Sequence, residues 1–248
     1  MPQNTPSGRS EHLTDKIPQL SANDIEVKAE QVIKYFDLNL LSTPQAVPIR
    51  EFASQTKHKF AIDYRTDIDL GTGPGGKKCL GQFRTTPRGI FIDQSLEGSD
   101  RFPFVLAHEY GHFVLHRKID PVKCGYTTSS LDDAEVDFVT HKKVLTTPRD
   151  WIEWQANRFA SAILMPRATF SDALIDFHKQ QGWNRQIGVV IVNATQQSRR
   201  DFNHTLGALS LVYSVNRTNI ECRLRDLQLL QDHRNPETRH ISQLFKED

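Results

Sequence analysis

The sequence predicts an α+β fold, in which helices pack on a short twisted sheet and a helical module follows at the C-terminal end. Two observations lead to this prediction. Amphipathic helical segments flank three short β-prone runs, which are separated by the turn sequences GTGPGG and TTPRG. Near the C-terminus, residues 206–230 have the pattern of two helices around a short turn.

The first half of the chain predicts a helical start followed by the sheet. A polar segment at 1–20 is expected to be a flexible tail, and Ser21 with Asp24 forms a capping-box signal before a helix that reaches Phe36. Pro48 is expected to begin a short second helix, since proline suits a first helical turn. Strands are then predicted at 60–64, 79–83 and 89–93.

The second half is mainly helical. Helices are predicted at 103–117, 151–164 and 170–180, and a β-branched run at 187–195 fits either helix or strand. We therefore expect a domain at 21–186 and a helix-turn-helix-like module at 187–248.

The composition favours a globular protein of the cytoplasm. Among 248 residues, 31 Lys and Arg nearly balance 30 Asp and Glu, which argues against polyanion binding through bulk charge. Apolar runs stay far below the ~20 residues that a membrane span needs. The chain has no apolar leader, and Cys79, Cys124 and Cys222 form no CxxC pair, so we expect reduced thiols and no membrane association.

The strongest chemical signal is the HExxH motif His108-Glu109-Tyr110-Gly111-His112. On a helix, positions i and i+4 lie on one face about 6 Å apart, so His108 and His112 can reach a single ion. Glu109 lies about 100° around the helix, where it can reach a water on the metal but is not expected to bind the metal itself. The alternative is a buried helix whose histidines are satisfied by hydrogen bonds.

A catalytic zinc ion needs a third protein ligand. The longer HExxHxxGxxH pattern is excluded, because Leu115 and Lys118 occupy its glycine and histidine positions. His116 lies about 12 Å from His108 along a helix axis, too far to share the ion. Glu153 is the better candidate, with Asn157 on the same face to hydrogen-bond a ligand histidine. Weaker candidates lie in the intervening loop: Asp132, Asp133, Glu135 and His141.

Several segments resemble, in order, the ImmA/IrrE-type family of zinc metallopeptidases: IEVKAEQVIKYF, GIFIDQSLEGSDRFPFVLAHEYGHFVLH, EWQANRFASAILMP and LSLVYSVNRTNIECRL. The resemblance implies a zincin-like domain in which His108, His112 and Glu153 bind Zn²⁺ and Glu109 is the general base. Gln155 replaces the second acid of the family's helix, and residues 118–149 look like an insertion.

The resemblance also implies that the protein cleaves a helix-turn-helix repressor and so relieves repression. We expect substrate to add to the edge of the strand before the active-site helix, along Gly89, Ile90, Phe91 and Ile92. For a second oxyanion donor, the candidates are Tyr126, His141 and His178.

The alternative function is a DNA-binding or partner-binding regulator that keeps a non-catalytic zinc fold. Arg217, Arg223 and Arg225 lie in or beside the second helix of the C-terminal pair, which Asn216 can cap. Glu221 and Asp226 interrupt this basic face, however, so nucleic-acid binding is possible but a module for folding or docking is favoured. The sequence does not indicate an oligomeric state.

Overall fold

The computed structural model describes residues 16–73, 76–126, 130–134, 145–183 and 187–234, and it confirms the α+β class. Within the predicted tail, residues 16–20 form neither helix nor strand, but Ile17 and Leu20 pack against the core. This end of the segment is therefore attached to the domain. None of the helices in the described ranges is both long and apolar enough to cross a bilayer.

Two helices precede the sheet. Helix α1 (Ala22–Phe36) begins at the predicted cap, where the Asp24 amide donates to Ser21 Oγ at 3.1 Å and the Ser21 amide donates to Asp24 Oδ2 at 2.9 Å. Helix α2 (Ile49–Phe60) follows Pro48 and ends at Ala61, whose φ of 50° is left-handed. The predicted strand at 60–64 starts too early, because α2 occupies the chain up to Phe60.

A four-stranded sheet has the order β1-β3-β2-β4. Its strands are β1 (Asp63–Ile68), β2 (Cys79–Thr85), β3 (Arg88–Asp93) and β4 (Ser130–Ala134). Strand β3 pairs in parallel with β1 and antiparallel with β2, and β2 also pairs antiparallel with β4.

This strand order corrects one prediction about the substrate. That prediction adds a substrate strand along Gly89, Ile90, Phe91 and Ile92. Because β3 lies inside the sheet and is hydrogen-bonded to a neighbour on each side, it has no free edge to offer. Strand addition at β3 is therefore wrong.

The motif helix packs between the sheet and a long second helix. Helix α3 (Phe102–Gly111) continues into a π-helical turn at His112–His116, and α4 (Pro148–Leu164) begins at a capping box formed by Thr147 and Asp150. A Cβ atom on Gly111 would lie only 3.3 Å from the Ala156 carbonyl oxygen. The absence of a side chain at Gly111 thus allows α3 and α4 to approach each other closely.

The C-terminal region contains α5 (Arg167–Gln180), β5 (Val190–Asn193), α6 (Gln196–Tyr213), α7 (Arg217–Asp226) and β6 (Leu230–His233). The ambiguous run at 187–195 supplies β5, which pairs in parallel with β6. The predicted helix pair is present as α6 and α7, and the Asn216 side chain caps α7 by accepting from the Asn219 amide at 2.9 Å.

A buried ion pair joins α7 to the N-terminal helix. Arg223 is fully buried and donates to Glu26 Oε2 at 2.8 Å and to the Met165 carbonyl at 2.9 Å. Arg158 of α4 pairs with Asp226 at the end of α7. The C-terminal helices are therefore fixed to α1 and α4 by charged contacts as well as by apolar packing.

Candidate metal centre

The structure brings the three predicted metal ligands together. The Nε2 atoms of His108 and His112 are 2.9 Å apart, and Glu153 Oε2 lies 3.2 Å from the first and 3.9 Å from the second. One ligand atom from each residue lies within 4.8 Å of the others. Both histidines are buried, whereas the Glu153 side chain is 24% exposed. The cluster thus reaches the surface on the Glu153 side.

The remaining residues considered as metal ligands or oxyanion donors do not join this cluster in the described structure. His116 Nδ1 faces His112 Nδ1 at 3.0 Å, on the side of that ring away from the cluster. Glu135 and His141 lie outside the described residues, and of Asp132 and Asp133 only the backbone is described. His178 accepts a hydrogen bond from the Gly188 amide and contacts the Trp183 ring, so it belongs to the C-terminal region.

Asn157 lies where the sequence predicts a supporting group. Its Oδ1 is 2.9 Å from His108 Nδ1, so the ring donates its Nδ1 proton to the amide oxygen. This contact leaves the Nε2 lone pair of His108 directed at the cluster. A hydrogen bond of this kind fixes both the tautomer and the orientation of a ligand histidine.

Tyr126 supports the carboxylate of Glu153. Its hydroxyl donates to Glu153 Oε1 at 2.5 Å, which leaves Oε2 facing the histidines. Burial raises the pKa of Tyr126 well above its usual value, and the neighbouring carboxylate raises it further, so the hydroxyl stays protonated. Although burial opposes it, contact with His108 and Tyr126 holds the pKa of the Glu153 carboxyl below its usual value. The sequence offers Tyr126 only as an oxyanion donor, not as this support.

Glu109 is fully buried and lies against strand β2. A Cβ atom on Gly81 would lie 2.8 Å from Glu109 Cγ and 2.9 Å from Glu109 Cδ, which is closer than a Cβ atom comes to the side-chain atoms of another residue. Only glycine at position 81 therefore leaves room for the Glu109 carboxylate, which also lies close enough to Tyr126 to raise the pKa of its hydroxyl. A glycine inside a β-prone run is the sequence signal for such a close approach, but Gly81 is not among the residues predicted from the sequence.

The donor set fits a zinc ion. Two imidazole nitrogens and one carboxylate oxygen are the protein ligands of a common class of catalytic zinc site, in which the fourth position is open. Both flanking groups, Asn157 and Tyr126, orient ligand atoms toward the same point.

An HExxH helix whose two histidines meet a carboxylate from a second helix is the arrangement of metallopeptidases. The chain belongs to the peptidase family M78, because the family model described as the IrrE N-terminal-like domain matches residues 65–189, half of its length. The matched range includes the four-stranded sheet from Arg65 onward, the HExxH motif and Glu153. A comparison with curated proteins gave no match.

Proposed function

We propose that the protein is a zinc-dependent endopeptidase of the cytoplasm that cleaves a helix-turn-helix transcriptional repressor and thereby relieves repression. The observation that carries the zinc peptidase activity is the convergence of His108, His112 and Glu153. Glu109, which follows His108 on the same helix, is fully buried. The resemblance to ImmA/IrrE-type peptidases supports the choice of substrate. The cysteine pattern of the sequence, in which Cys79, Cys124 and Cys222 form no CxxC pair, supports a reducing compartment.

In this proposal His108, His112 and Glu153 hold the ion. A zinc ion held by these residues would supply a Lewis acid for the scissile carbonyl and would allow water to lose a proton near neutral pH. Glu109 accepts that proton as the water oxygen attacks the carbonyl carbon, and it delivers the proton to the amine nitrogen as the C–N bond breaks. One water is consumed: Glu109 passes one of its protons to the amine, and the new carboxylic acid gives up the other, so that a carboxylate and an ammonium group are released at neutral pH.

We propose that the substrate segment binds along β4, at the edge of the sheet. Among the described residues β4 pairs only with β2, the strand whose Gly81 lies against Glu109. Tyr126, four residues before β4, is bonded to Glu153. An extended peptide that adds to this edge would gain backbone hydrogen bonds close to the metal site.

We expect Gly81→Ala to lower proteolysis about 100-fold, because a misplacement of about 1 Å in a catalytic group has costs of this size. The added methyl group must displace the Glu109 side chain. Zinc affinity, measured by competition with a chelator, should stay within about threefold of wild type, because Glu109 is not a ligand in this class of site.

Gly207→Ala in α6 is the matched control, since its Cβ atom would meet only the flexible end of Arg217, at 3.2 Å. This variant should keep wild-type proteolysis. Equal activities for the two variants would show that the close contact at Gly81 does not position Glu109 for the reaction.

The substrate proposal is tested with a purified helix-turn-helix repressor, chosen by looking for such a protein among the products of the neighbouring genes. The zinc-loaded full chain should cut it into two fragments, and a chelator should prevent the cut until zinc is added back. An intact repressor, together with cleavage of another protein partner, would reject the repressor while keeping the peptidase. No cleavage of any tested protein by the loaded chain would reject the peptidase as well.

The regulator alternative has less support. Arg223 is buried in its ion pair with Glu26, and Arg225 pairs with Glu221 and Asp232 at 2.7 Å each. Two of the three arginines on which this alternative depends are thus engaged in ion pairs within the chain. Tight binding of a specific duplex at physiological salt would favour this alternative.

A further inference from the structure

We propose that His116 and Gln155 are positioning residues, which hold His112 in the tautomer that binds metal through a hydrogen-bonded relay anchored on the backbone of Pro18. This inference rests on the proposed zinc site and adds residues that the HExxH motif does not include.

The relay is a continuous series of three contacts. Gln155 Nε2 donates to the Pro18 carbonyl at 2.7 Å, and Gln155 Oε1 lies 3.0 Å from His116 Nε2. His116 Nδ1 in turn lies 3.0 Å from His112 Nδ1. The side chains of His112, His116 and Gln155 are all at least 99% buried. Water therefore does not compete for these hydrogen bonds.

The donor and the acceptor of each hydrogen bond in the relay follow from the Pro18 carbonyl oxygen at its end. A carbonyl oxygen can only accept, so the Gln155 amide must turn its NH₂ group to Pro18 and its oxygen to His116. His116 Nε2 must then carry the proton. His116 is fully buried, and its two ring nitrogens face Gln155 and His112, neither of which is an acid, so the neutral ring has only its Nδ1 lone pair left with which to accept a proton. The proton between the two rings therefore belongs to His112 Nδ1.

This assignment leaves His112 Nε2 as a lone pair. The contact with Asn157 does the same for His108, so two lone pairs face each other at 2.9 Å beside the Glu153 carboxylate. Two nitrogen lone pairs and a carboxylate that converge with no proton between them form a site that favours a cation. Asn157 performs this task for one histidine, and the relay performs it for the other.

The local backbone explains how His116 reaches its position. Residues His112–His116 form a π-helical turn, and the His112 and His116 rings lie 5.2 Å apart between centroids. Such turns are rare in proteins, but many of those that occur lie at functional sites. The relay also couples the metal centre to residues 16–20, which pack on the core through Ile17 and Leu20.

The test uses the full chain in three variants. His116→Leu removes the acceptor for the His112 proton. Gln155→Leu removes the link between His116 and the Pro18 carbonyl. His116→Asn keeps an acceptor oxygen near the position of the His116 Nδ1 atom. Loss of such a supporting contact weakens metal binding about 10- to 100-fold, so both leucine variants should bind zinc that much more weakly in chelator competition. His116→Asn should recover most of the affinity.

A second readout separates positioning from structural damage. In the zinc-free wild type, long-range ¹H–¹⁵N spectra of the imidazoles should show the proton of His112 on Nδ1 and that of His116 on Nε2. In His116→Leu the His112 proton should move wholly or partly to Nε2. Ser161→Ala, a buried change on the same helix as Gln155, is the control and should alter neither zinc affinity nor the tautomers.

Wild-type zinc affinity and an unchanged His112 tautomer in both leucine variants would overturn the relay and leave the peptidase proposal intact. A wild-type chain that binds no zinc would instead reject the proposed function. The spectra of the zinc-free protein would still decide the direction of the relay in that case.

Discussion

Glu109→Gln is expected to reduce peptide hydrolysis by about 10²- to 10⁴-fold, the range that general acid–base catalysis contributes. The amide has nearly the shape of the carboxylate and fits the same space beside Gly81, but it cannot accept the proton of water. Zinc stoichiometry and affinity should be unchanged, because Glu109 is not among the proposed ligands His108, His112 and Glu153. Cleavage of the protein substrate and chelator competition are measured on the same preparation.

The control for this variant is Glu51→Gln, an exposed change of the same chemistry on α2 that should leave hydrolysis unaltered. A Glu109→Gln protein that keeps more than about a tenth of wild-type activity would assign the base to another group, since its loss should cost at least about 10²-fold.

Glu26→Gln is expected to destabilise the chain by about 3–5 kcal/mol, because it leaves the charge of Arg223 buried without a counter-ion. Arg223 is fully buried and Glu26 is nearly so. The double variant Glu26→Leu with Arg223→Met should recover most of this loss, since apolar replacements of a buried pair are often neutral or stabilising. Urea unfolding of the zinc-free full chain gives the free energies.

Glu30→Gln on the same helix provides the comparison. Glu30 forms an ion pair with Lys34 at 3.6 Å in which both side chains are at least 36% exposed. Exposed pairs of this kind contribute about 1 kcal/mol or less. If Glu26→Gln costs no more than Glu30→Gln, the pair between α1 and α7 does not hold the C-terminal helices in place.

The helices were predictable because their signals are local. The Ser21 capping box, Pro48 and the Asn216 cap each act within one turn, and the structure shows each at the start of its helix. The spacing of His108 and His112 likewise fixes one face of one helix. The position of Glu153 on a second helix needed the family resemblance in addition, because no local rule states which helices meet.

What the sequence analysis missed depends on contacts between distant segments. Strand order places β3 inside the sheet, although its GIFID run could equally occur at an edge. Gly81 is special only because Glu109 approaches it from another element. The contacts of Tyr126 with Glu153, and of Gln155 with His116 and Pro18, join residues far apart in the chain. No periodic pattern in the sequence predicts contacts between residues so far apart in the chain.

We propose above that one zinc ion is bound jointly by the HExxH helix and by α4. Crystals of the zinc-loaded full chain, measured at the zinc absorption edge, test it most directly through the anomalous peak. We predict one peak about 2.0–2.2 Å from His108 Nε2, His112 Nε2 and a Glu153 oxygen, the usual zinc bond lengths. A peak bonded elsewhere, or one beyond bonding distance of the Glu153 carboxylate, would contradict the account.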